Sequence, residues 1–103
     1  MTFANNLFAA LAHTGKGLTC SDSGFQDLST DKQCSDAVNY AKSIIGNARY
    51  IGSGSWPENH KGCFIYVEMY SGNPSGSGHM YFNKHSSGNN NAAMRSICHK
   101  GNY

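Results

Sequence analysis

Four side chains could between them cleave an RNA backbone without a metal: His60, Glu68, Arg95 and His99. Such a reaction needs a base on one side of a phosphate, an acid on the other and a cation to hold the charge that develops. His60 or Glu68 would serve as base, His99 as acid and Arg95 as clamp. Glu68 is the one acid inside a strongly apolar stretch, "CFIYVEMY" at 63–70, where partial burial would raise its pKa toward a working range. The plainer reading is that Glu68 faces water beside Tyr66 and Tyr70, or pairs with Arg95 or a lysine across the sheet. No local motif joins the four residues. A nucleophile has no visible anchor either: the chain holds no Gly-x-Ser-x-Gly, and its cysteines look committed to disulfides. Catalysis is therefore the secondary reading, and no cofactor or metal is expected.

A second set of residues, Trp56, Tyr66, Tyr70 and Tyr81, suits binding. The stretch "GSGSWPENHKGC" at 52–63 holds the single tryptophan of the chain and one of its two prolines. Pro57 excludes helical backbone at Trp56. The indole buries a large apolar area and usually gives its N–H to a carbonyl, so Trp56 is expected first as an anchor for this loop. Its second expected role is a platform on which a sugar or a base stacks. The tyrosines add aromatic area for a glycan or, by preference, for another protein.

These residues need a scaffold, and at 103 residues the chain is one domain in which a single hydrophobic core is marginal without staples. Cys20, Cys34, Cys63 and Cys98 are widely spaced, without a C-x-x-C pair or zinc-type Cys/His intervals, and read as two disulfides. Three connectivities are possible. The expected one joins Cys20 to Cys34, tying a loop to the helix after it, and Cys63 to Cys98, tying two strands. Disulfides imply an oxidising, extracellular setting, with any secretory leader removed or lying outside the sequence. A net charge of +2 with 14% charged residues gives nucleic-acid or membrane-surface binding no support, and no apolar run is long enough for a membrane span.

Residues 3–12, "FANNLFAALA", set Phe3, Leu7, Phe8 and Leu11 on one helical stripe. Residues 1–17 are expected as an apolar arm ahead of the disulfide-stabilised module at 18–103. The arm packs on its own domain or docks on a neighbouring copy, by helix packing or strand addition. Thr30 and Gln33 form a capping box, Cys34, Ala37, Val38, Ala41, Ile44 and Ile45 recur at helical spacing, and Gly46 is the expected left-handed stop. Strands follow at 49–51, 63–70, 79–83 and 94–98. In the second of these, Cys63, Ile65, Val67 and Met69 face one way and Phe64, Tyr66, Glu68 and Tyr70 the other. One or two helices on a small antiparallel sheet is an α+β layout.

The order Trp56-Pro57, Gly62-Cys63, Tyr81-Phe82-Asn83, His85 and Ile97-Cys98 resembles a small cysteine module found, often several to a protein, in extracellular proteins of algae and other protists. The resemblance covers about residues 20–99 and implies an extracellular, disulfide-bonded module with no assigned reaction. In its usual form Trp-Pro lies close to Gly-Cys, whereas here "ENHK" separates them. The resemblance also implies that the Asn83 amide ties a strand end to a loop. The opening "CSDSGF" with Cys34 is similar to secreted fungal necrosis-type effectors, and "GSGSWP" with "YSGNPSG" to small guanyl-specific fungal ribonucleases. Together these readings favour a secreted, non-catalytic structural or recognition module. Its partners would be copies of itself, as in a filament or surface layer built through the arm, or another extracellular protein. A small ribonuclease or toxin-like effector and a glycan-binding module are the alternatives.

Overall fold

The helix after Thr30 begins where its cap chemistry dictates. The structure, a computed structural model, describes residues 9–68 and 77–101. Thr30 is extended (φ −136°, ψ 156°), and its hydroxyl oxygen accepts the Gln33 N–H at 3.1 Å. Gln33 Oε1 reaches one residue further back than a capping box requires, accepting from the Ser29 N–H at 2.7 Å and the Ser29 hydroxyl at 3.1 Å. Helix α1 spans Asp31–Asp36, the backbone breaks at Ala37 (ψ 1°), and α2 resumes over Val38–Ala41. Gly46, the expected stop, does not adopt positive φ. The helix ends earlier, in turns where the Ile44 and Ile45 N–H groups both donate to the Ala41 carbonyl (2.9 and 3.1 Å). The apolar stripe survives the break. Cys34, Ala37 and Ala41 are fully buried, and Val38, Ile44 and Ile45 pack against the same core.

Among the described residues, six strands form one sheet: β1 (Leu11–His13), β2 (Gln26–Asp27), β3 (Arg49–Gly54), β4 (Gly62–Tyr66), β5 (His79–Asn83) and β6 (Met94–His99). Their order is β1-β6-β4-β5-β3, with β2 also on β6. Because β1 occupies one flank of β6 at residues 97–99, β2, paired at Cys98 and His99, lies on the other flank, past the start of β4. The α+β layout holds. The sheet is mixed, because β3 runs parallel to β5 while the other pairings are antiparallel. Strand β5 inserts between β3 and β4, which run in opposite directions, so it can oppose only one of them.

Alternation sorts the side chains onto two faces, as the sequence of 63–70 suggests. On the helix-covered face Cys63, Ile65, Met80, Phe82 and Ile97 pack with Leu11, Leu28 and the helix stripe. On the other, Phe64, Tyr66 and Met94 pack with Trp56, Tyr81 and Ala93. Met69 and Tyr70 lie outside the described residues.

All four cysteines are paired, but Cys20 joins Cys98 and Cys34 joins Cys63, which corrects the expected connectivity. The reason is the pleat. Cys63 lies opposite Ile97 in the β4/β6 register, so Cys98, the next residue, points to the other face and cannot reach it. Helix α1 instead lies over β4 and brings Cys34 to Cys63. Gly62 makes that entry possible: its φ is +77°, and a Cβ there would sit 3.2 Å from the Leu28 carbonyl oxygen.

Within the segment expected as an arm, the helical stripe over 3–12 gives way to strand at its end. Residues 11–13 are strand β1, Leu11 is 2% exposed inside the main core, and the Gly17 N–H donates to the Met94 carbonyl at 2.8 Å. Pairing with β6 overrides the helix propensity of the alanines. Phe3, Leu7 and Phe8 lie outside the described residues.

Candidate functional site: an aromatic concavity beside the Trp-Pro turn

Trp56 opens a β-turn. Pro57 takes the position its fixed φ suits, and the Asn59 N–H returns to the Trp56 carbonyl at 3.3 Å. Asn83, at the end of β5 and 2% exposed, holds this turn to the sheet. Its Oδ1 accepts from the N–H groups of Trp56 (2.9 Å) and His85 (3.1 Å). Its Nδ2 donates to the carbonyls of Trp56 (2.7 Å), His60 (3.0 Å) and, more weakly, Asn59 (3.4 Å). One amide therefore ties a strand end to two loops.

The indole itself lies on the sheet because the sequence leaves room for it. Gly52 and Gly54 stand opposite Tyr81 and Asn83 in the β3/β5 register, and a Cβ on Gly54 would fall 2.3 Å from Cζ2 of Trp56. In that space Trp56 meets Tyr81 edge-on (centroids 5.5 Å, 80°) and Phe64 likewise (6.1 Å, 81°). Tyr66 stands at 80° to Phe64 and at 90° to Tyr81, while Phe64 and Tyr81, cross-strand neighbours, stack at 28°. Such pairs contribute about 0.5–1.5 kcal/mol each beyond their burial.

The rings, together with Glu58 and Asn59, line an open concavity of about 280 Å³. Phe64 is buried beneath it, and Trp56 and Tyr81 remain half-buried. Three of the four expected binding residues, Trp56, Tyr66 and Tyr81, thus converge, and Tyr70 lies outside the described residues. Glu58 and Asn59 escaped the sequence reading. The signal was present in Pro57, since a proline at the second position of a turn brings the fourth residue back beside the first. Anchoring falls to the backbone of Trp56, whereas its Nε1–H, expected to meet a carbonyl, donates to no acceptor among the described residues.

The four residues of the ribonuclease reading do not meet. His60 is fully buried between the Trp-Pro loop and the 84–93 connection. Its Nε2 accepts the Asn91 N–H at 2.9 Å, so Nδ1 carries the proton and donates to Ser96 Oγ at 2.8 Å. Burial lowers its pKa, with the Asp22 carboxylate pulling the other way. Arg95 adjoins Ser96 in β6 and so points to the opposite face, where its guanidinium donates to the Thr14 carbonyl at 3.1 Å. His99 shares that face with Arg95 but lies four residues further along the strand, roughly 13 Å away. Glu68 sits beyond the end of β4, half-exposed, in an ion pair with Lys16 at 2.8 Å.

Among the described residues, no three His, Cys, Asp or Glu side chains converge as metal ligands, and no helix is long and apolar enough to cross a membrane. No protein-family model, curated protein or solved structure matches the chain.

Proposed function

We propose that this protein is a secreted, non-catalytic recognition module whose contact surface is the aromatic concavity. The observation that carries this reading is the convergence of Trp56, Tyr66 and Tyr81 on one open site whose turn is already locked by Asn83. Pre-formed geometry favours binding, because little ordering is left to be lost on association. Two disulfides support an oxidising compartment, in keeping with the likeness to extracellular cysteine modules of algae and protists.

The test uses fluorescently labelled protein on intact producing cells and on the extracellular polymer they shed. Trp56→Ala and Tyr81→Ala should lose at least nine-tenths of the bound signal, while Lys42→Ala, exposed beyond the helix, should retain it. Equal binding by all three variants would remove the concavity from the function.

A second reading, self-assembly, is favoured by β3. Among the described residues this strand pairs with β5 alone and ends the sheet, and it exposes Ile51 (47%). An edge of this kind accepts an added strand, and the N-terminal residues of a neighbouring copy would supply it. Deleting residues 1–8 should then convert large particles to monomers in light scattering, and particles of unchanged size would remove this reading.

A further inference from the structure

The concavity combines aromatic rings with polar side chains that have no hydrogen-bond partner among the described residues. The Glu58 carboxylate makes no ion pair or hydrogen bond among the described residues. The Asn59 side-chain amide makes none either, although its backbone N–H and carbonyl are both engaged. The Trp56 Nε1–H likewise donates to no acceptor among the described residues. The residues lining the site therefore carry one donor on the indole, one charged acceptor on the carboxylate, and one donor and one acceptor on the carboxamide, beside the half-buried rings of Trp56 and Tyr81. Three of these residues lie in a single turn, so their spacing is set by that turn and not by the ligand.

We infer that this concavity binds one neutral pyranose residue of an extracellular glycan. This rests on the recognition reading above and names its ligand. A pyranose has a weakly polar C–H face suited to an aromatic ring, and hydroxyls around its edge that both donate and accept. A carboxylate accepts from two adjacent hydroxyls, and the carboxamide and indole N–H serve the remaining edge. A quaternary ammonium would use the rings and Glu58 but would leave both the amide and the indole N–H without a partner. A peptide loop needs more room, since about 280 Å³ falls just below the pockets that hold drug-sized ligands. An anionic sugar is disfavoured by Glu58.

The single tryptophan is its own reporter. Its emission is titrated with methyl pyranosides and with neutral glucan, mannan and galactan oligosaccharides, with tetramethylammonium run alongside. At least one sugar series is expected to give a saturable change. Glu58→Gln and Asn59→Ala should each weaken it about tenfold while leaving the far-UV and near-UV dichroism of the free protein unaltered. No saturable change with any sugar at tens of millimolar overturns the inference, as does saturation by tetramethylammonium alone. The two readings fail separately. If Trp56→Ala abolishes binding to shed polymer but no sugar competes, the pyranose falls and recognition stands. If Trp56→Ala leaves that binding intact, the recognition reading falls.

Discussion

At the scale of single residues, Asn83 is the most connected side chain near the site, and its removal should be costly. Four hydrogen bonds, each with a net contribution of about 1 kcal/mol, and a weaker shared contact to Asn59 end on one buried amide. Asn83→Ala is expected to destabilise the fold by about 3 kcal/mol in urea titration and to free the Trp56 turn, with a red shift in tryptophan emission. His60 makes a different prediction. Its folded pKa lies below its ordinary value because of burial, so the unfolded chain binds the proton more readily. The neutral ring therefore contributes stability that is complete above about pH 6.5 and declines as pH falls through that value. His13, lowered by burial and then by Arg95, and His79, lowered by burial and then by Arg49, act in the same direction. Urea midpoints should thus decline from pH 8 to pH 5, with part of the slope absent in His60→Gln. An unchanged slope would mean that His60 is not held neutral.

At the scale of elements, the site depends on an absence of side chains in β3. Gly54 permits the indole to lie on the strand, and a methyl group there leaves it nowhere to lie. Gly54→Ala should displace Trp56 toward water, raising its quenching by acrylamide about twofold or more and weakening ligand binding, while the dichroism of the sheet persists. A variant with wild-type quenching would show that the ring does not rest there. The elements were also the most legible level. The helix start follows from Thr30 and Gln33, and the strand at 79–83 has the bounds its pattern implies. The two faces of β4 follow from strict alternation. Leu11–His13 was misread because alanine-rich spacing suits a helix, and only the free flank of β6 made it a strand.

At the scale of the molecule, the disulfides join distant parts. Cys20–Cys98 spans 78 residues and Cys34–Cys63 spans 29. In the chain-entropy model these closures are worth about 4.5 and about 3.5 kcal/mol. Their sum matches the whole net stability of a typical small domain, about 5–15 kcal/mol. Full reduction should therefore unfold the protein at room temperature, read by near-UV dichroism. Replacing Cys20 and Cys98 by alanine should cost more than replacing Cys34 and Cys63. The reverse order would argue that packing under α1, and not loop length, sets the effect.

The residue types along the chain determined that there would be two cross-links, a capped helix, alternating strands and an aromatic sheet face, because these depend on local chemistry and on periods of two and 3.6. Three matters needed the folded molecule: which cysteine met which, that β5 would slip between β3 and β4, and that Glu58 and Asn59 would share a hollow with Trp56. Each depends on residues far apart in sequence, and on which face of a pleated strand a side chain meets when another element arrives. No run of neighbouring letters carries that information. It comes from packing one sheet against two short helices and two loops at once.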